Sequence, residues 1–485
     1  MTRRYLPVLC LAALLTGCEL APDYQPPHVD VSATYKEIGP WRPAQPSDGL
    51  PPGPWWQRFG DPTLDALEPR VDDANPDLAA AVARYDQARA LAAQAEAGLY
   101  PQVALDAHGT ENRQSAERPL RSTGNSPAYY GANQLDAQAS YEIDLWGKVR
   151  NQAAAGAAQA QASAADLAGT RLSLEAELAS DYLSLRGLDG DAKLLADTTA
   201  AYRKALDLTQ HLFTGKLVSS MDVSRAETQL QTAEAQAADI ASRRALMEHA
   251  IAILVGRQSS SFSLPPAPAA IQLPDIPTGV ASTLLQRRPD IAAAERRVAA
   301  ANAGIGVARA AFYPSLSIGL LGGTQSTNLN LFSMANSFWS VGPDISLPLF
   351  TGGALDAQES AAYATFREAG ATYRSTVLTA FGEVEDNLAL LHWLGQESDH
   401  EDAAVTAAQH TLDVALNLYH QGAASYLEVV TAQTPLLQAQ QAQIDLHTKR
   451  LLADVGLIRA LGGGWEATSL PATDAASQLA PDTMD

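Results

Sequence analysis

The sequence predicts a mixed fold, a membrane β-barrel joined to a long α-helical barrel, built from two internal repeats and completed only between chains. Three observations carry this prediction. The first is repetition: Asn75-Pro76-Asp77-Leu78, leading to Tyr100-Pro101, is answered by Arg288-Pro289-Asp290-Ile291, leading to Tyr313-Pro314, at a constant offset of 213 residues. Further on, Phe213 to Gly256 is answered by Tyr419 to Gly462 at an offset of 206. A period near 200 residues is far too long for a solenoid, so each copy is an elaborate unit of its own. The second observation is a set of very long helical stretches, and the third is a pair of strictly alternating segments in each copy.

The helices come in matched lengths. Asn75 caps a helix that starts at Pro76 and runs to about Leu99, where Pro101 stops it. From about Val149 to Leu212 the apolar positions follow heptads, with Leu167, Leu174, Leu188, Leu195 and Tyr202 on one seam and Leu178, Leu185, Leu206 and Phe213 on the next. A turn at 215–220 leads to a third helix, from about Met221 to Val255. The second copy repeats the series as Pro289 to Phe312, Asp356 to Leu418 and Leu427 to Leu461, with its turn at Gly422 to Ser425. The first and third helices of each copy together come close to the second in length, about 60 residues or roughly 90 Å. Two short helices stacked end to end beside one long helix make a rod of uniform height. A fibrous coiled coil is the alternative that the helices alone allow.

The strands speak against that alternative. Leu135, Ala137, Ala139, Tyr141, Ile143 and Leu145 alternate with Gln134, Asp136, Gln138, Ser140, Glu142 and Asp144, and Val103, Leu105 and Ala107 alternate with Gln102, Asp106 and His108. The second copy offers Leu316, Ile318 and Leu320, then Trp339, Val341, Ile345, Leu347 and Leu349 against Ser340, Asp344 and Ser346. Segments of about ten residues with period two are the signature of barrel strands; a half-buried soluble hairpin has the same pattern. Pro343 within such a run suggests a bulge or a break in the ladder. Four strands cannot close a membrane barrel, for which about eight is the minimum, so the barrel must be shared, and three copies would give twelve strands. The alternation then turns Asp106, Asp136, Glu142, Asp144 and Asp344 toward the water-filled lumen. Loops at about 109–133 and 322–337 become the outer tips.

The N-terminus sets the compartment. Arg3 and Arg4 precede an apolar run from Tyr5 to Leu15, and Leu15-Thr16-Gly17-Cys18 follows. That is a secretory signal with a lipoprotein cleavage box, in which the Cys18 thiol takes a covalent lipid, a diacylglycerol and an acyl chain. An ordinary signal peptide with an incidental cysteine is the alternative. Glu19 stands where an inner-membrane retention signal would carry Asp, which favours the outer membrane. Cys10 lies in the discarded segment, so a mature chain holds one cysteine and no internal disulfide.

Composition excludes other classes. The formal charge is −21, which argues against nucleic acid as a partner. After the signal no run of 18 apolar residues occurs, so any crossing of a membrane must use a closed barrel. Nine scattered histidines form no metal spacing, no Gly-x-Ser-x-Gly elbow exists, and Gly462-Gly463-Gly464 lacks the Lys-Ser/Thr of a phosphate loop. The expectation is a protein without catalytic residues, metal or other cofactor. An envelope-spanning structural coiled coil and a passive porin stay open as alternatives.

Several motifs carry a family resemblance. Trp55-Trp56-Gln57-Arg58-Phe59-Gly60-Asp61-Pro62, Asp144-Leu145-Trp146-Gly147-Lys148-Val149-Arg150, Arg287-Arg288-Pro289-Asp290-Ile291, Asn302 to Pro314 and Pro348-Leu349-Phe350-Thr351-Gly352-Gly353 are similar to the outer-membrane efflux lipoproteins of the NodT type, relatives of TolC. The resemblance covers nearly the whole mature chain. It implies a homotrimer with a twelve-stranded barrel, a periplasmic helical barrel and an equatorial belt. It further implies an exit duct docked to a periplasmic adaptor (membrane fusion) protein and an inner-membrane transporter of the resistance-nodulation-division type. The chain then divides into a signal peptide (1–17), a lipidated tether with an equatorial segment (18–74), a first repeat (75–256), a Pro-rich linker (257–287), a second repeat (288–465) and a C-terminal tail (466–485), expected to be mobile.

In such relatives the closed gate lies at the periplasmic turns, which map onto Phe213 to Val223 and Tyr419 to Thr431. Leu427, Glu428 and Thr431 become the gate candidates, and Gly215, Lys216, Gly422 and Ala423 the docking turns. Two departures stand out. The acidic gate position of relatives is Thr431 here, with Glu428 beside Leu427 instead, and Gly215 comes one place early in the first turn.

Overall fold

The computed structural model describes residues 19–30, 35–37, 53–115, 128–268, 271–274, 276 and 284–471. The signal peptide, Cys18, most of the outer loop after β1 and residues 472–485 lie outside the described residues.

Seven helices of eight residues or more occur among the described residues: α1 (Pro62–Ala74), α2 (Pro76–Glu96), α3 (Lys148–Thr214), α4 (Ser220–Leu254), α5 (Pro289–Ala310), α6 (Ala354–His420) and α7 (Tyr426–Ala460). The expected boundaries hold within about three residues, and α1 is a helix that the sequence analysis did not place. Both long helices have 67 residues and both α4 and α7 have 35, so each rod is about 100 Å tall. Starts are written in local chemistry. Asp61 Oδ1 accepts from the amides of Thr63 and Leu64, and Ser219 with Asp222 forms a reciprocal capping box on α4.

The short helices meet head to tail. Asn75 Oδ1 caps α2 by accepting from Asp77 and Leu78 amides at 2.8 and 3.0 Å, while its Nδ2 donates to the Leu254 carbonyl at the end of α4 at 2.9 Å. In the second copy Arg288 stands in place of Asn75, and its Nη1 donates to the Ala460 carbonyl at the end of α7 at 3.0 Å. One side chain thus serves two helix ends and satisfies a carbonyl that the last turn leaves open. The chain can leave each junction only through glycine. Gly256 has φ 65° and Gly462 φ 90°, and a Cβ there would overlap the carbonyl oxygens of Ala74 and Arg287.

The Pro-rich connection between the copies is clamped rather than loose where it is described. Asp189, its side chain fully buried, accepts from Arg186 Nη1 and Arg244 Nε at 2.7 Å each and from the Ala267 amide at 3.0 Å. The two arginines in turn donate to the Pro265 and Leu264 carbonyls. The tail is likewise packed as far as it is described: Trp465 and Leu470 rest on Ala165, Ala292 and Ala293, and Gln161 Nε2 donates to the Pro471 carbonyl. This corrects the expectation of a mobile tail for residues 466–471.

Four strands form one antiparallel sheet in the order β1 (Gln102–Arg113), β2 (Tyr129–Ile143), β3 (Ser315–Ser326), β4 (Ser337–Ser346). The strands run further toward the outer tips than alternation suggested, because backbone pairing continues through polar and glycine-rich stretches where the apolar signal stops. Pro343 pairs opposite Ile318 in an unbroken register, which corrects the expected bulge; the flanking pairs, Leu316 with Ile345 and Leu320 with Val341, carry the register across the one missing amide. Asp144 lies past the end of β2 and is not a strand residue. Its Oδ2 accepts from the Arg150 amide at 2.8 Å, in the first turn of α3.

One carboxyl group sits in the main core of α1, α3 and their neighbours. Glu68 is 1% exposed and neither of its side-chain oxygens has a partner among the described residues. Burial first, then the nearby Glu175 and Asp72 carboxylates, push its pKa up to about 9. Because the folded value exceeds the unfolded one, this group's contribution is full below about pH 4.5 and is lost as pH rises toward about 9.

Two outcomes follow for purified protein. Gly256→Ala or Gly462→Ala is expected to cost about 2 kcal/mol through strain at the junction, read as a lowered melting temperature; an unchanged one would remove the junction from the account. Glu68→Gln, which keeps the shape without the charge, should melt with a smaller decline between pH 5 and pH 9 than wild type.

Candidate conduit and its periplasmic tip

The sheet has two unlike faces. Register places Asp106 directly opposite Asp136, and Glu142 opposite Ser317, which in turn faces Asp344, so these four acids share one face. Gln138 Nε2 donates to Asp106 and Gln134 Nε2 to Asp136, at 2.8 and 2.7 Å. These bonds offset the repulsion of like charges set opposite each other. Glu142 also receives Lys148 Nζ at 3.1 Å, at the start of α3. The other face carries Val103, Leu105, Tyr141, Ile318, Leu320, Trp339 and Val341, and it is open: Val103 is 76%, Leu105 73% and Trp339 76% exposed. Both edges, β1 and β4, lack a neighbour within the chain.

Below the sheet the two copies are stitched together. Trp146 stacks on Tyr313 with ring centroids 4.7 Å apart and donates its indole N–H to the Pro314 carbonyl at 2.8 Å. The N-terminal segment expected as a tether is docked along α5. Glu19 accepts from Asn151 Nδ2, Leu20 O from Arg309 Nη1, Pro22 O from Asn302 Nδ2, and Tyr24 O–H donates to the Glu295 carboxylate. Gly306 has no Cβ because Asn151 and Ala21 occupy that space, which accounts for the glycine in the Asn302 to Pro314 motif. Further along, the Lys36 and Glu37 amides donate to Glu385.

The two helical hairpins, α3–α4 and α6–α7, end in turns at the far end of the rods. Leu427, Glu428 and Thr431 share one exposed face of α7 near its start. Glu428 lies in the first turn, where a negative charge meets the favourable end of the helix dipole. The Thr431 hydroxyl is engaged on its own helix, donating to the Leu427 carbonyl at 2.7 Å. The opposite face of α7 is buried: Tyr426 and Val429 pack with Ala226 of α4, against Leu206, Leu412, Leu416 and Tyr419. The Tyr419 and Tyr426 rings are 5.6 Å apart, and burial pushes the Tyr426 phenol up to about 12. A hydrogen bond of 3.1 Å from Gln229 Nε2 to Thr434 Oγ1 adds the next contact between the hairpins.

Sequence reasoning did not single out Ala226 and Pro435 at the tip. Pro435 lies inside α7, where it removes the amide that would bond the Thr431 carbonyl and weakens the helix about two and a half turns above the tip. A proline within an otherwise helical pattern was the available signal. At the docking turns, Gly422 takes the left-handed conformation with φ 73°, but in the first turn that place belongs to Lys216, with φ 62°, and not to Gly215, with φ −74°. Ala423 follows Gly422 and is exposed. No helix of the described residues is long and apolar enough to cross a membrane, and no cluster of His, Cys, Asp and Glu among them could hold a metal ion.

Comparisons with known proteins agree with this architecture. A family model described as outer membrane efflux protein matches twice, at residues 70–257 and 280–463. The probable efflux pump outer membrane protein TtgC of Pseudomonas putida is 32% identical over 486 residues, covering 99% of this chain and all of the relative. The pyoverdine export outer membrane protein OpmQ of the same species is 33% identical over 488 residues, covering 96% of this chain and 98% of the relative. Among solved structures, the outer-membrane channel OprN superposes with a TM-score of 0.84 at 29% identity, covering 92% of this chain and all of that one. The outer membrane protein VceC of Vibrio cholerae gives 0.80 at 31% identity, over 86% of this chain and all of that one. The chain belongs to the outer membrane efflux protein family.

Proposed function

We propose that three copies of this chain close a twelve-stranded barrel in the outer membrane and, beneath it, a helical duct through which small toxic compounds leave the periplasm. The observation that carries the reading is the unfinished sheet. An apolar face with both edges unpaired is an aggregation hazard in water. Lipid against that face, and a neighbouring β4 against each β1, satisfy both. An odd-even match supports this: four antiparallel strands leave β1 and β4 running oppositely, as the pairing between copies requires. The acidic face then lines the lumen.

The lipid on Cys18 fits the same frame. Glu19, the next residue, is held on Asn151, at the sheet end of α3, so an acyl chain on Cys18 would begin at membrane level. Named relatives of this chain export toluene, antibiotics and pyoverdine, which supports small organic compounds as the cargo. A wide duct selects weakly, and choice of cargo rests with the inner-membrane transporter, of the resistance-nodulation-division type, that supplies the energy.

Gating is a change of packing, without covalent chemistry. With the tip of α7 seated on α4 through Tyr426, Val429 and Ala226, the exposed face of Leu427, Glu428 and Thr431 turns toward the threefold axis and narrows the entrance. A periplasmic adaptor that binds the turns better in the splayed arrangement shifts the population toward it. Pro435 lets the tip segment move without dragging the rest of α7.

Deletion in the host is expected to lower the inhibitory concentration of exported toxins at least fourfold while leaving passive uptake of small solutes unchanged. A passive porin predicts the reverse. Cys18→Ser should abolish acylation and reduce the outer-membrane yield; acylation that persists would refute the anchor. Tyr426→Ala should raise single-channel conductance in planar bilayers several-fold, and wild-type conductance in that variant would remove the tip contact from the gate.

A further inference from the structure

The two docking turns are built alike and differ in one residue that the backbone does not favour. In each, the final residue of the turn bonds back to the helix: Lys216 N to Phe213 O at 2.8 Å and Leu217 N to Leu212 O at 2.9 Å, matched by Gly422 N to Tyr419 O at 3.0 Å and Ala423 N to Leu418 O at 2.9 Å. This is the helix-ending motif in which glycine fills the left-handed position. The second turn obeys with Gly422. The first places Lys216 there, the one residue other than glycine with positive φ among the described residues. A glycine is present one position earlier, at Gly215, where ordinary φ makes no demand for it. The turn therefore carries strain that a lysine-to-glycine change would relieve.

That strain gains nothing within the chain. Lys216 is exposed, and among the described residues its side chain makes no ion pair or hydrogen bond. The nearest acid in sequence, Asp222, is already engaged by Ser219 and Arg225. In the same turn and the start of the next helix, Phe213, Leu217 and Met221 are all exposed. The equivalent places of the second turn are Tyr419, Gly422, Ala423 and Leu427, which offer apolar bulk but no cation. The chain as a whole carries −21, so an unpaired cation exposed at the tip is a local exception that an acidic group can meet.

We infer that Lys216 is a specificity contact: the first turn, α3–α4, receives a carboxylate of the periplasmic adaptor, with Phe213, Leu217 and Met221 packing against apolar residues beside that carboxylate. This inference rests on the adaptor docking proposed above. It assigns the cation to the channel and the acid to the partner.

The test uses detergent-purified channel and the adaptor that restores efflux together with it, titrated at low and high salt. Lys216→Gly should melt higher than wild type yet bind the adaptor at least fivefold more weakly. Lys216→Gln should bind as weakly, and Lys216→Arg, which keeps both charge and strain, should bind like wild type. Wild-type affinity should fall with salt more steeply than that of the Gln variant. If Lys216→Gly melts higher and binds as tightly as wild type, the lysine is only a poor turn residue and the inference is overturned. If wild-type channel binds no adaptor and restores no efflux, the docking reading itself fails, and this inference with it.

Discussion

A junction between helix ends sets the proportions of this molecule. The end of α4 meets the start of α2, and the end of α7 meets the start of α5, with Asn75 and Arg288 each donating to the carbonyl that the finishing helix leaves open. Because the dipoles run head to tail, the negative end of one helix faces the positive end of the next. Two short helices then act as one column against a helix of 67 residues. Without that junction the column would break at mid-height, and the walls of the duct could not be of even length. Arg288 extends the tie further, to Asp290 and Glu383, at 2.6 Å each.

Much of this was legible in the chain because duplication doubles every signal. The constant offsets of 213 and 206 residues pair Asn75 with Arg288 and Gly256 with Gly462, and the structure shows each pair in one role. Heptad seams and Pro starts located the long helices. What stayed hidden depends on contacts distant in sequence. α1 does carry a helical apolar stripe, Leu64, Leu67 and Val71, but over only 13 residues with Pro69 among them, and it is fixed by Asp61, whose Oδ1 also receives the Tyr182 hydroxyl. The docked N-terminal segment reads as a Pro-rich tether, because carbonyls that accept from Arg309 and Asn302 leave no mark in composition. At the tip, a shifted glycine at 215 read as a departure from pattern, whereas the geometry shows the departure to be the lysine at 216.

The other organising feature is incompleteness. A single chain buries its helical core well, yet leaves the apolar face and both edges of its sheet open. The apolar face, the acidic opposite face and the unpaired edges are three aspects of one requirement, that lipid lie outside, water inside and another copy on either side. Function follows from that geometry without reactive groups: a hydrated wall, a height set by the helix junctions and a narrow end held by packing. In the function proposed above, the charge pattern along the sheet gives the lumen its sign, and the turns at the far end receive the adaptor.

Amide hydrogen exchange across β1 and β4, measured in outer-membrane vesicles, tests the closed ring most directly. The account predicts that the outward amides of these two strands exchange as slowly as those of β2 and β3. Fast exchange confined to β1 and β4, as in a sheet with free edges, would contradict it.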